Sequence, residues 1–291
     1  MEGKGDLLFS REIRSGGMVY SLTLLAEDLS RLYPGMIRYT LRLESGGKTL
    51  ALLRTNTYEY SPGVPLDAES FIRGKAAEWE KSILAGHGGF IASREAAGGG
   101  ESTQTGVDAL IIQGSPRADG NCSILAGWAA EGAGSLGMKA RVVYLDDLSI
   151  RPCIGCYQCY NTGSCTFDDD MTGLIGSLRA ARLLVICTPV YTNTVPGALK
   201  TFMDRCQAYH AERSLFSHGE GKKGLLFSVA GRTGKENFEC VRRVVISYLR
   251  NLGITMVGEI LLDGMDRTRD VRILPGVREE VARLVRLAFG K

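Results

Sequence analysis

The sequence predicts an α/β protein in which a doubly wound, five-stranded parallel sheet follows a small α+β domain. From residue 107 onward, five apolar runs alternate with helical patterns, an alternation typical of a parallel sheet covered by helices on both faces. Before residue 92 the apolar runs are short and are separated by glycine-containing turns, which indicates strands and hairpins. Residues 92–106 are rich in Gly, Ser and Thr, so we predict domains at 1–91 and 107–291 joined by a linker.

Four strands and one helix are predicted in the small domain. The strand-like runs are LLFSREI (7–13), MVYSLTLL (18–25), MIRYTLRLE (36–44) and TLALLRTNTYEY (49–60). Gly46 and Gly47 separate the last two runs, which predicts a hairpin. A helix should begin near Asp67 and end near residue 85. Its apolar residues, which fall mostly on one face, are Phe71, Ile72, Ala76, Trp79, Ile83 and Leu84. Gly47-Lys48-Thr49 resembles the end of a phosphate loop, but it stands at a strand turn and lacks the earlier glycine, so we interpret it as a turn.

The predicted parallel sheet has five strands with helices between them. The strand-like runs are VDALIIQG (107–114), ARVVYL (140–145), RLLVICT (182–188), KGLLFSVAG (223–231) and ITMVGEIL (254–261), and the helices are expected at about 121–136, 168–181, 196–209, 236–252 and 276–289. Ligands of such sheets bind beyond the carboxyl ends of the strands. The loops that follow the strands should therefore carry the function.

Composition excludes several classes of protein. Hydrophobic residues make up 44% and charged residues 23% of the 291, values of a globular chain. No apolar run approaches the roughly 18 residues of a membrane span, and no secretory signal is visible at the amino terminus. We therefore expect a cytoplasmic protein with no membrane partner. The net charge of +3 is small and its basic residues are dispersed, so nucleic acid is not an expected partner.

Three loops after predicted strands suit a ligand. Residues 114–123, GSPRADGNCS, place backbone N–H groups, hydroxyls and a helix start together, and this arrangement suits a single phosphate; an ordinary strand-to-helix turn is the alternative. Residues 188–197 contain two prolines and Tyr191, which could flank a flat aromatic ring. The small residues of 229–234 permit close approach of backbone to a ligand.

A cysteine-rich loop occupies residues 151–167. Cys153, Cys156, Cys159 and Cys165 follow a C-x2-C-x2-C-x5-C spacing. Three thiolates this close in sequence favour an iron–sulfur cluster, because structural zinc sites more often join two separated C-x2-C pairs. Zinc binding and a disulfide remain the alternatives.

GSPRADGNCS, PCIGCYQCYNTGSCTFDDDM and TPVYTNTVPGALKTFMDR, in this order, resemble the NADPH-dependent FMN reductase family and, within it, the iron–sulfur flavoproteins. The resemblance covers residues 107 to 291 and implies a flavodoxin-like fold, an FMN cofactor, a [4Fe–4S] cluster on the four cysteines, and a dimer or tetramer. By position, the residues implied to hold FMN are Ser115, Arg117, Asn121, Cys122 and Ser123 at the phosphate, Pro189, Val190, Tyr191 and Thr192 along the ring and ribityl chain, and Ala230 and Gly231 on the far side. Nothing in residues 1–91 matches this family.

The predicted function is electron transfer between a one-electron and a two-electron carrier, with the flavin carrying the chemistry. Expected partners are NAD(P)H or a redox protein such as a ferredoxin, with assembly as a homodimer or homotetramer. One alternative is an NAD(P)H-dependent FMN or quinone reductase without a cluster. Another is a zinc-stapled binding module without catalysis. For residues 1–91 we expect a role in oligomerisation or partner docking.

Overall fold

The computed structural model describes residues 5–61, 65–85, 106–216 and 221–290. The chain divides into two compact units. The N-terminal unit comprises Met1–Glu101, Ile154–Thr166 and Ala211–Ser217, and the α/β unit comprises Ser102–Cys153, Phe167–His210 and His218–Lys291. The middle of the cysteine loop therefore packs with the N-terminal residues. The predicted linker lies, except for Gly106, outside the described residues, and the domain boundaries stay a prediction.

The N-terminal unit contains a four-stranded antiparallel sheet in the order of the chain. Its strands are β1 (Asp6–Ser15), β2 (Met18–Asp28), β3 (Ile37–Ser45) and β4 (Lys48–Asn56). The β3–β4 hairpin turns through Gly46 and Gly47, with φ of 57° and 74°. A two-residue turn with both φ values positive favours glycine. The predicted hairpin is confirmed, and Lys48 begins a strand rather than a phosphate-binding helix.

Helix α1 (Ala68–Leu84) covers one face of this sheet. Asp67 caps it by accepting a hydrogen bond from the Ser70 amide at 2.7 Å, as its position predicts. The buried side chains of α1 are Ala68, Ile72, Ala76, Trp79 and Ile83, and they pack against apolar residues of the strands. Leu84 is 63% exposed and lies off this buried face.

The α/β unit contains a five-stranded parallel sheet in the order β6-β5-β7-β8-β9. The strands are β5 (Ala109–Gln113), β6 (Ala140–Tyr144), β7 (Leu183–Pro189), β8 (Lys223–Val229) and β9 (Thr255–Leu262). Every residue of β5 and β7 is buried, because helices cover both faces of a parallel sheet. Counted within this unit the order is 2-1-3-4-5, that of the flavodoxin-like folds.

The sheet is flanked by helices whose ends differ in places from the sequence prediction. They are α2 (Asn121–Gly134), α3 (Met171–Ala180), α4 (Gly197–Arg205), α5 (Gln207–Phe216), α6 (Glu239–Asn251) and α7 (Val277–Ala288). The single helix expected at 196–209 is two helices. The amide of Cys206 bonds to the carbonyls of both Phe202 and Met203, which tightens the last turn of α4 and ends it.

Apolar side chains form a core on each face of the parallel sheet, one packed with α3, α4 and α6 and the other with α2 and α7. The two cores fix the positions of the strand ends, and the loops that line the candidate site begin at these ends. Among the described helices, none combines the length and the apolar character required to cross a bilayer.

Candidate functional site

A cavity of about 1330 Å³ opens beyond the carboxyl ends of β5, β7, β8 and β9 in the α/β unit. All of the predicted FMN residues except Ser123 line it, and these are Ser115, Arg117, Asn121, Cys122, Pro189, Val190, Tyr191, Thr192, Ala230 and Gly231. The three loops singled out in the sequence therefore meet at one place. Small-molecule sites usually measure about 300–1,000 Å³, so the cavity has room for a nucleotide-sized cofactor.

The loop between β5 and α2 is organised by a buried glutamine. The side-chain amide of Gln113 donates to the carbonyl of Arg117 at 3.2 Å and to the hydroxyl of Ser123 at 2.8 Å. Its oxygen accepts from the Ser115 amide at 2.9 Å. The Ser115 hydroxyl in turn accepts from the Arg117 amide at 3.1 Å. This network fixes the backbone of the loop and explains why Ser123 supports the loop from behind instead of lining the cavity.

Helix α2 begins at the cavity, with Gly120, Asn121 and Cys122 in its wall. The first amides of a helix have no partner within that helix and carry the positive end of its dipole. The exposed side chain of Arg117 adds a cation at the same wall. The start of α2 therefore presents the donors that a phosphate dianion requires.

The side chain of Asn121 has a structural task in addition to its place in the wall. Its amide nitrogen donates to the carbonyl of Arg269 at 3.1 Å, and its oxygen accepts from the amide of Val271 at 2.9 Å. These bonds tie α2 to the loop that follows β9. A phosphate at this point would consequently meet the backbone amide of Asn121 rather than its carboxamide.

The loop after β7 forms a tight turn that presents Tyr191. The amide of Tyr191 donates to the carbonyl of Thr194 at 2.8 Å, and the amide of Thr194 donates back at 2.9 Å. Between them Thr192 and Asn193 have φ of 44° and 65°, a conformation that is strained for a threonine. The ring of Tyr191 is 40% exposed at the wall, where it offers a flat apolar face to an aromatic ligand.

The loop after β9 supplies a fourth wall that the sequence analysis did not include. Met265 and Asp266 donate backbone hydrogen bonds to Ala230 and Gly231 at 3.0 Å each, which joins this loop to the loop after β8. Asp266, Arg269, Asp270 and Arg272 line the cavity. A Cβ atom on Gly231 would lie 2.4 Å from a carboxylate oxygen of Asp266, so the glycine is required for this close approach. The fifth strand was predicted, and the rule that functional loops follow strands could have found these residues.

The Cys122 thiol is buried, with 2% of the residue exposed. Desolvation raises its pKa to about 12, so the side chain is a neutral thiol at physiological pH. It packs in the core beneath α2. Cys122 can contribute its backbone amide to the cavity, and its sulfur is not an activated nucleophile.

The cysteine loop winds tightly. Gly155, Tyr157 and Gly163 all have positive φ, and a single helical turn spans Cys159–Thr162. Cys153 belongs to the α/β unit, and the other three cysteines, which are half-buried, belong to the N-terminal unit. Across the described residues, no three His, Cys, Asp or Glu side chains are gathered as the ligands of a metal ion. The donor set itself, four thiols and no carboxylate, fits an iron–sulfur cluster in its chemistry.

The two ends of the cysteine loop are fastened to each other within the α/β unit. Arg205, whose side chain is 1% exposed, donates to the carbonyl of Arg151 at 2.6 Å and forms a bidentate ion pair with Asp169 at 2.7 and 3.0 Å. The ring of Phe167 lies 4.1 Å from the guanidinium carbon of Arg151 and 5.1 Å from that of Arg205. We call these four residues the loop clasp. Asp169 also accepts from the Met171 amide at 3.1 Å at the start of α3, but its main partner is Arg205.

The strand order, the phosphate-sized donor group at α2 and the aromatic wall define the class of the protein as a flavodoxin-like, flavin-dependent oxidoreductase. Residues 107–263 match the NADPH-dependent FMN reductase family. An iron–sulfur flavoprotein of Methanosarcina thermophila is 30% identical over 149 residues, 51% of this chain and 75% of that protein. An iron–sulfur flavoprotein of Archaeoglobus fulgidus is 31% identical over 152 residues, 52% of this chain and 66% of that protein.

A crystal structure of an NADH:FMN oxidoreductase superposes with a TM-score of 0.46 at 16% identity, covering 62% of this chain and 88% of that one. The chain belongs to the NADPH-dependent FMN reductase family, in its iron–sulfur flavoprotein subgroup.

Proposed function

We propose that the protein binds FMN in the cavity of the α/β unit and transfers electrons between a one-electron carrier and a two-electron donor or acceptor. The observation that carries the proposal is the convergence of three kinds of group on one cavity: helix-start amides with Arg117, the exposed ring of Tyr191, and the backbone of Ala230 and Gly231. These are the groups needed by a phosphate, an isoalloxazine ring and the polar edge of that ring.

Different residues of the cavity would bind different parts of the cofactor. Arg117 and the amides of Asn121 and Cys122 would hold the phosphate, since the amide of Gly120 already donates to the carbonyl of Arg117. The network centred on Gln113 fixes the loop that leads to these amides. Tyr191 and its tight turn would cover the ring. When bound, FMN supplies a centre that accepts either one or two electrons. The protein orients this centre and excludes water from it.

We further propose that Cys153, Cys156, Cys159 and Cys165 ligate a [4Fe–4S] cluster. The support is the C-x2-C-x2-C-x5-C spacing, together with the names of the relatives, which are iron–sulfur flavoproteins. A cluster carries one electron at a time, so a cluster and a flavin together can split a two-electron equivalent. The partner would be NAD(P)H on the two-electron side, or a ferredoxin-like carrier on the one-electron side. Assembly as a dimer or tetramer belongs to the same proposal.

The test is the absorption spectrum of anaerobically purified protein, measured with its iron and acid-labile sulfide content. Flavin bands above a broad shoulder near about 400 nm, with about four irons per chain, are expected for a [4Fe–4S] flavoprotein. Flavin bands without iron would refute the cluster and leave an NAD(P)H-dependent FMN or quinone reductase. One zinc per chain without flavin would refute both parts of the proposal in favour of a zinc-stapled binding module.

A further inference from the structure

The N-terminal sheet has one face covered by α1 and a second face that carries buried polar side chains. Successive residues of a strand point to opposite faces, so Arg38 on β3 and Arg54 and Asn56 on β4 lie opposite to the helix. Arg38 and Asn56 are direct cross-strand neighbours. Arg38 is 6% exposed and Asn56 is fully buried. Buried polar groups need hydrogen-bond partners, and here carboxylates of the same unit together with residues 157–161 of the cysteine loop supply them.

The sheet binds the backbone of the cysteine loop directly. Arg38 donates to the carbonyls of Tyr160 and Asn161 at 3.2 and 3.4 Å. Arg54 donates to the same carbonyl of Asn161 at 3.2 Å. Asn56 donates to the carbonyl of Tyr157 at 3.2 Å. Three side chains of the sheet therefore hold three backbone carbonyls on the two sides of Cys159.

Asn161 is the centre of this contact. It is 1% exposed, and its oxygen accepts from the Asn56 side chain at 2.9 Å. Its amide nitrogen donates to Glu59 at 2.5 Å and to the carbonyl of Arg54 at 3.4 Å. Gln158 also donates to Glu59 at 2.5 Å. A carboxamide engaged on both its donor and acceptor sides specifies one position of the loop.

Tyrosine rings complete the contact. Tyr157 and Tyr160 of the loop each meet Tyr33 edge-on, with ring centroids 5.3 Å apart, and Tyr58 lies 5.1 Å from Tyr157. Tyr160 is fully buried. Edge-to-face pairs of this kind add to the apolar burial itself. The rings and the polar network both hold the segment that contains the single helical turn Cys159–Thr162.

We propose that the N-terminal sheet is a holder for the cysteine loop, which fixes the segment around Cys159, between Cys156 and Cys165, in one conformation before any cofactor binds. The inference goes beyond the proposed function, and it rests on that function only for the identity of the group that the thiols receive. Asn161 and Arg54 act as positioning residues. Holding this segment lowers the part of the ordering cost of cofactor binding that falls on it and slows cofactor loss.

The first test uses the cofactor-free, reduced full chain and needs no cluster. Asn161→Ala removes the central carboxamide, and the rates of alkylation of individual cysteines are followed by peptide mass spectrometry. We expect Cys159 and Cys165 to react about tenfold faster or more than in the wild type, because buried hydrogen bonds that hold the loop are lost. Cys122, buried in the α/β unit, should remain protected. Arg11→Ala is the matched control, since it removes an ion pair with Glu80 elsewhere in the N-terminal unit and should leave every rate unchanged.

Arg54→Ala and Arg54→Lys provide a second pair of variants if Asn161→Ala does not fold. Arg54→Ala should accelerate alkylation of the same two thiols, and Arg54→Lys should restore much of the protection because a donor is retained. A change of less than about twofold at Cys159 and Cys165 would overturn the proposal. Equal acceleration at the buried Cys122 would also overturn it, because the effect would then be a general loosening of the chain.

The second test follows iron release from the reconstituted protein to a chelator. The Asn161→Ala protein should lose iron about tenfold faster than the wild type if the holder fixes the ligands. If the two proteins release iron at the same rate although their cysteines are alkylated at different rates, the holder does not determine how long the cofactor is retained. A wild-type protein that takes up no iron would refute the cluster, and the alkylation rates would still decide the holder.

Discussion

The loop clasp gives the most direct prediction about stability. Asp169 accepts two hydrogen bonds from the buried guanidinium of Arg205 and one from the amide of Arg151 at 3.1 Å. Asp169→Asn keeps the size of the side chain and removes its charge. One oxygen is replaced by an NH₂ group, which would face N–H donors of Arg205 or Arg151. The variant therefore leaves a buried cation with a neutral and partly repulsive partner.

The expected cost is about 3 kcal/mol of unfolding free energy. Removing one partner from a buried ion pair typically costs about 3–5 kcal/mol, and the lower end applies because asparagine retains one acceptor. The side chains of Arg205 and Asp169 are 1% and 8% exposed. Solvent therefore screens the ion pair little, and the free-energy cost of breaking it is not much reduced. Asp204→Asn on the same helix, α4, is the matched control. Asp204 and its partner Lys200 are both about half exposed. The Asp204→Asn variant should therefore lose less than about 1 kcal/mol of unfolding free energy.

The assay is a double-mutant cycle of Asp169→Asn and Arg205→Met, measured by urea unfolding at neutral pH. The coupling free energy between the two positions should be at least about 2 kcal/mol, because each variant alone breaks the same buried pair. Costs that add to within about 0.5 kcal/mol would refute the reasoning. A cost of Asp204→Asn equal to that of Asp169→Asn would refute it as well.

The same pair predicts a dependence on pH. Burial alone would raise the pKa of Asp169, but hydrogen bonds from Arg205 and from the amides of Arg151 and Met171 outweigh it, so the pKa lies below its ordinary value. The unfolded chain therefore takes up the proton first as the pH falls. The stabilisation is complete above the unfolded pKa of about 4 and is lost as the pH falls through the lower folded value. The difference in stability between wild type and Asp169→Asn should shrink below pH 4.

Three further predictions concern the cavity. Arg117→Ala should weaken FMN binding about tenfold or more, as expected for a lost charge-assisted contact. It should change riboflavin binding little, because riboflavin lacks the phosphate. Equal losses of affinity for both ligands in a fluorescence titration would contradict the assignment of Arg117 to the phosphate. Gly231→Ala should weaken FMN binding about tenfold, since its Cβ would displace the carboxylate of Asp266. Gly127→Ala in α2, with no atom within 4 Å of the added Cβ, should leave FMN affinity unchanged and stabilise the chain by about 0.5–1 kcal/mol. The thiol of Cys122 should resist alkylation in the folded protein up to pH 9, and rapid labelling there would show that burial does not control its pKa.

Much of the fold could be predicted because it depends on local sequence patterns, namely apolar runs and helix-capping residues. The apolar runs of β5 and β7 are buried on both sides, and Asp67 stands where a helix must begin. The ends of helices were harder to predict. Helix α4 ends before Cys206 because of hydrogen bonds in its last turn. The pattern of apolar residues continues from α4 into α5 and does not show this helix end.

The cavity could be predicted in outline, because loops after parallel strands meet at one edge of the sheet. The role of Gln113 could not, since a glutamine at the end of an apolar strand gives no indication of the three groups that it bonds. The contact between Asn56 and Asn161 spans 105 positions of the chain. A periodic pattern of apolar residues does not reveal a contact over such a distance, so the sequence alone places the cysteine loop in the α/β domain.

Two opposing effects act on the thiol of Cys122, and their balance bears on how a phosphate can be held. A helix start lowers the pKa of a thiol through its positive end, whereas burial raises it. The pKa of about 12 means that burial prevails. A thiolate at this point would repel a phosphate dianion bound to the amides of the same helix turn, and a neutral thiol does not. Burial of Cys122 therefore preserves the positive potential at the start of α2 for the cofactor.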